Sequence, residues 1–108
     1  MVQKQSTTRE SDADISTTGV VLTAETPGDA LVSLNIDATA DASYALDVSP
    51  TGDAGDWFDG EETYDQADVD DPQDIRDTFI AGDAYVRIRV TDAAAAGETA
   101  DITIQQAH

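Results

Sequence analysis

The stretch TYDQADVDDPQDIRD, residues 63–77, holds six aspartates and one arginine. Carboxylate oxygens at that density are what a calcium ion takes. Two frames approach an EF-hand loop and neither fits. In the frame starting at Asp68, Asp70 is well placed, but Pro72 and Gln73 stand where a ligand and the turn glycine belong. In the frame starting at Asp59, Tyr64 takes the glycine's place. A site of another shape would draw on Asp65, Asp68, Asp70 and Asp71, which a bent loop brings within reach of one another. Similar acidic density recurs at Asp53, Asp56 and Asp59, so the run reads as a solvated face. The expectation is no metal and no cofactor, with those four aspartates as the candidates should one bind.

Nucleophilic catalysis has little material. The chain has no cysteine, and its one histidine is His108, so neither a Ser–His–Asp nor a Cys–His arrangement is expected. Nothing among the 23 acids singles out a carboxylate pair for glycoside chemistry. The chain is expected not to be an enzyme.

Positive charge is scarce enough to be informative. Five basic residues, Lys4, Arg9, Arg76, Arg87 and Arg89, face 23 acids, for a formal net charge of −18. Arg87 and Arg89 project from one face of one strand. They pair with local carboxylates such as Asp101, or they meet an acidic neighbour in an assembly, since the guanidinium fork suits interface carboxylates. Trp57 and Phe58 follow a Gly/Asp loop. Neighbours on a strand point to opposite faces, so one is expected in the core and the other outward, where an aromatic anchors a protein interface or stacks on a sugar. The expected interface residues are Arg87, Arg89, Trp57, Lys4 and Arg9.

So much like charge pushes a small domain apart in dilute buffer. At about 1 M salt the Debye length falls to roughly 3 Å and neighbouring carboxylates stop repelling one another. The composition predicts a protein of concentrated brine. A net negative chain is not expected to bind nucleic acid, which requires a basic face. No run of 18 apolar residues is present, nor the apolar core of a signal peptide, so no membrane partner is expected.

These side chains must be positioned by strands. Residues 1–18 are polar, with no periodic apolar face, and read as an extended arm held by a neighbouring subunit. From Gly19 the pattern alternates. Ala30, Val32, Leu34, Ile36 and Ala38 share one face, and Ala42, Tyr44, Leu46 and Val48 another, with Ser43, Asp47 and Ser49 turned outward. PTGDAGD is a loop, Trp57 and Phe58 begin a poorly alternating strand, and DIRDTFI is a further strand. Val86, Ile88 and Val90 alternate inward, as do Ala100, Ile102 and Ile104, which predicts a hairpin with Arg89 opposite Asp101. DAAAAGE is too short to nucleate a helix. Residues 19–108 are therefore expected to form one antiparallel all-β sandwich of about seven strands, immunoglobulin-like or jelly-roll-like.

The hairpin AYVRIRVTDAAAAGETADITI, with SYALDVSPTGDAGDWF upstream, resembles small acidic β-sandwich proteins among the structural genes of haloarchaeal head–tailed viruses and their proviruses. The likeness covers roughly Ala30 to Gln105. It implies a virion component, most directly a capsid decoration or minor capsid protein, or else a turret or tail accessory. It also implies, as partners, the major capsid protein, other virion proteins and further copies of the chain. A carbohydrate-binding module built around Trp57 is the alternative that the same pattern would fit.

Overall fold

A computed structural model describes residues 5–26, 30–65, 74–81 and 85–107. The alternating segments form β2 (Gly19–Glu25), β3 (Ala30–Ala38), β4 (Ser43–Ser49), β5 (Phe58–Asp65), β6 (Asp74–Ala81), β7 (Tyr85–Asp92) and β8 (Thr99–Ala107). An eighth strand, β1 (Gln5–Asp14), lies in the segment read from sequence as an arm. All pairings are antiparallel, in two four-stranded sheets of order β1-β8-β3-β6 and β2-β7-β4-β5.

That order defines the architecture. Every strand pairs with its mirror image in the chain, β1 with β8, β2 with β7, β3 with β6 and β4 with β5. The chain is thus one long antiparallel ribbon, closed between β4 and β5 and rolled until β8 meets β3 and β7 meets β4. Of the two sandwich types expected, this is the jelly roll. The connection that closes the ribbon needs glycine at residue 52, where φ is +78° and an added Cβ would stand 3.2 Å from the Tyr85 ring.

The core is the alternation made solid. Val32, Leu34 and Ile36 of β3, Ile102 and Ile104 of β8, Val86, Ile88 and Val90 of β7, and Tyr44 and Leu46 of β4 are all buried between the sheets. Burial pushes the Tyr44 hydroxyl up to about 12, since a phenolate there would lose its hydration.

Two expectations fail, for physical reasons. β7 and β8 do not form a hairpin but lie in opposite sheets. Arg89 stands between Val20 of β2 and Ala45 of β4, whereas Asp101 lies opposite Asp37 of β3. Residues 93–98 cross the sandwich instead of turning, tied to the segment between β1 and β2 by Ala94 N–H to the Ile15 carbonyl (2.9 Å) and Ile15 N–H to the Glu98 carbonyl (3.3 Å). The apolar faces of β7 and β8 therefore meet across the core rather than along a ladder.

The other failure concerns the end of the segment read as an arm, where two residues do contribute to the core. Ala13 is buried and Ile15 is 0% exposed. Full burial of one isoleucine side chain stabilises by about 1.5–3 kcal/mol. Removing the whole segment would thus strip a strand and two core residues, Ala13 and Ile15, together.

Candidate interaction faces

On the outer face of the β2-β7-β4-β5 sheet, β4 and β7 place Asp47 directly opposite Arg87. Asp47 points outward, as its place in the alternation requires, yet it is 0% exposed. Its cover is made of side chains. Oδ2 accepts from Arg87 Nε at 2.8 Å and from Arg89 Nε at 3.0 Å, while Oδ1 accepts from Arg89 Nη2 at 3.2 Å and from the Gly60 N–H at 2.8 Å. Gly60, at φ +73° in β5, belongs to the bulged stretch where the β4–β5 register shifts between Leu46 and Val48. A backbone turned that way favours glycine.

Burial alone would push the Asp47 carboxyl up; the hydrogen bonds from Arg89, Arg87 and Gly60 outweigh it and hold the group below its ordinary value. The same hydrogen bond to Asp47 raises Arg89. Both carboxylate oxygens are engaged by protein donors, so the cluster is a clamp between β4, β5 and β7. Arg87 also reaches Asp59 (3.2 Å), and its guanidinium lies 4.3 Å from the centre of the Trp57 ring. Stacking of this kind contributes about 0.5–1 kcal/mol at partly exposed sites.

Arg87, Arg89 and Trp57 are thus brought together. The carboxylate they share is Asp47, not Asp101. Neither Trp57 nor Phe58 is in the core: Trp57 is half-buried against Arg87 and Phe58 is 63% exposed. β5 is an edge strand whose side chains are nearly all exposed, and the one it packs against the core is Tyr64.

Arg9 lies on the other sheet, where it bridges Asp101 at 3.4 Å with both side chains largely exposed. Such a pair contributes about 0–1 kcal/mol. Lys4, Asp68, Asp70, Asp71 and His108 fall outside the described residues. Asp65 ends β5, and no acidic group able to hold a metal is found among the described residues.

The outer face of the β1-β8-β3-β6 sheet differs in kind. The ladders align its outward residues in rows that cross the sheet. One row reads Arg9, Thr103, Asn35, Arg76, and the next Thr7, Gln105, Ser33, Thr78. On one side of these lies a row with Asp101, Asp37 and Asp74 in register, and beyond it Asp14 stands opposite Thr99. On the other side, Leu31 and Ile80 stand opposite each other, 52% and 72% exposed. This face thus carries Arg9 and Arg76 against Asp14, Asp37 and Asp101, with Asp74 in register beside Asp37, fewer acids per base than the 23 to five of the whole chain. Most of the 23 acids lie elsewhere, in loops and in the other sheet.

Sequence reasoning missed Leu31 and Ile80. Their signal was phase, since each is apolar but one position out of step with the buried residues of its own strand, Val32 and Leu34 in β3 and Ile75 in β6.

The remaining edges are guarded against strand addition. β6 turns Asp77 into its inward row beside Ile75, where the carboxylate accepts a 2.6 Å hydrogen bond from the Tyr64 hydroxyl of β5. Burial, then that hydrogen bond, raises Tyr64 well above its ordinary value. β5 carries Asp59, Glu61, Glu62 and Asp65, and β2 is bulged between Val20 and Leu22. No protein-family model and no curated protein matches this chain.

Proposed function

We propose that this chain is a non-enzymatic structural protein of a halophilic virion. In this reading it is a capsid decoration or minor capsid protein that packs on a capsid protein through the outer face of the β1-β8-β3-β6 sheet. The observation that carries the reading is the exposed Leu31–Ile80 pair beside rows of Thr, Ser, Asn and Gln, on a face with fewer acids per base than the chain as a whole. In concentrated salt, long-range attraction is screened, and association depends on apolar burial and close hydrogen bonds. A face of Thr, Ser, Asn and Gln around an apolar pair offers both. The jelly roll is an architecture of capsid domains and equally of lectins. The fold therefore supports the reading without selecting it, and the assignment to a virion draws on the resemblance noted above. The guarded edges favour packing through faces over strand addition at β2, β5 or β6.

The test is the double substitution Leu31→Thr and Ile80→Thr. Both residues are exposed, so thermal stability should change by less than about 0.5 kcal/mol per site. Incorporation into particles should fall at least about ten-fold, as for loss of an interface anchor. Unchanged incorporation would refute the assignment of this face. A glycan-binding module would instead lose affinity for glycan on Trp57→Ala and ignore the double substitution.

A further inference from the structure

β1 has two sections. On its C-terminal side, Ala13 and Ile15 are buried and Ile15 is fixed by backbone hydrogen bonds in both directions. On its N-terminal side, Gln5–Glu10 offer no apolar side chain at all. Thr8 and Glu10 stand opposite the buried Ile104 and Ile102, yet Thr8 is only half-buried and Glu10 is exposed. Its backbone ladder and the exposed Arg9–Asp101 ion pair hold that section. Between the two sections the register shifts from Glu10 to Ala13, and Asp12 sits at φ +54° with its N–H donated to Asp101 Oδ1 at 2.9 Å. The bulge is a natural pivot.

The edge of β8 beneath this arm is unlike the others. β8 pairs with β3 over eight residues without a register shift, so its opposite side presents a straight row of backbone donors and acceptors. Among the described edges it is the one without a bulge, an inward charge or an acidic run of its own. It must therefore be covered by a strand. Charge decides which strand suits it. Residues 1–10 carry Lys4 and Arg9 against Glu10 alone, leaving 22 of the 23 acids and three of the five basic residues in the rest of the chain. Residues 1–10 are thus a segment of net positive charge, which a second acidic body does not repel.

We propose that Gln5–Glu10 is an exchangeable arm, which swings about the Ser11–Asp12 bulge and pairs with β8 of a second copy in place of that copy's own arm. Every ladder hydrogen bond and the Arg9–Asp101 pair are re-formed between chains, so exchange costs few contacts, which is the condition for swapping an element between copies. Six extended residues reach about 20 Å at roughly 3.3 Å each. Ala13–Ile15 stays in its own core, so the copies remain separately folded while linked. This deepens the packing function proposed above and rests on it.

Thr7 and Gln105 are exposed cross-strand partners, suited to reporting the exchange. A Thr7→Cys protein and a Gln105→Cys protein of different mass are mixed in concentrated salt and oxidised. Exchange predicts a covalent heterodimer formed at least about ten-fold more efficiently than between Thr7→Cys and the off-site control Thr91→Cys, because the arm holds the paired thiols at high effective concentration. Heterodimer yield no greater than the control overturns the proposal. So does closure of the Thr7→Cys/Gln105→Cys double variant solely within its own chain at every protein concentration. Because the experiment uses free protein, its failure is separable from any failure of Leu31→Thr/Ile80→Thr to affect particle incorporation.

Discussion

Replacing Asp47 by alanine should lower the unfolding free energy by about 3 kcal/mol, the scale for removing one partner of a buried ion pair. The carboxylate is 0% exposed and accepts four hydrogen bonds, from Arg87, Arg89 and Gly60. Its loss strands two guanidinium groups beside each other. Water reaches them in part, as the side chains are 19% and 29% exposed, which keeps the cost below that of a fully enclosed charge. For a domain of this size the melting temperature should fall by roughly 10–15 °C.

Asp47→Asn adds a test of sign. The Asp47 carboxyl is held below its ordinary value in the folded protein. Its contribution is therefore complete above the unfolded value of about 3.9 and is lost as pH falls through the lower, folded value. The asparagine variant has no such group to titrate. Its stability should already be low near neutral pH and fall less steeply than wild type below about pH 4. Parallel acid limbs in thermal melts of the two proteins would show that Asp47 is not a paired, charged group.

An effect of similar size should come from salt. With 23 carboxylates on 108 residues, repulsion acts over a Debye length of about 10 Å at 0.1 M salt and about 3 Å at 1 M. Loops such as the one holding Asp53 and Asp56, and the β5 edge with Asp59, Glu61, Glu62 and Asp65, place these charges within that longer range. Melting should move upward by at least about 10 °C between roughly 0.1 M and 2 M potassium chloride. A chelator added at constant ionic strength should change nothing. Equal or greater stability in dilute buffer would contradict the brine reading, and a chelator effect would reopen the calcium reading at Asp65, Asp68, Asp70 and Asp71.

What could be read from sequence was phase. Val32/Leu34/Ile36, Val86/Ile88/Val90 and Ala100/Ile102/Ile104 are inward as their alternation requires. What could not be read was pairing. An inward row is satisfied equally by a neighbour in its own sheet or by one across the core, so β7 and β8 look like a hairpin even though they face each other between sheets. The same gap hid the clamp. Asp47 points outward as its phase requires, but its burial depends on β4 lying beside β7, which brings Arg87 and Arg89 over it. β1 was illegible for a different reason. Its ladder uses backbone groups that every sequence has, and only Ala13 and Ile15 mark its end. The proposed docking face was legible in principle through Leu31 and Ile80, whose apolar side chains break the phase of their strands.

The most direct measurement is oxidative footprinting of Leu31 and Ile80, comparing free protein with protein in purified particles. Packing through the outer face of the β1-β8-β3-β6 sheet predicts that both residues are readily labelled in the free protein and protected in the particle, while Phe58 on β5 stays reactive in both. Equal labelling of Leu31 and Ile80 in the two states would contradict it.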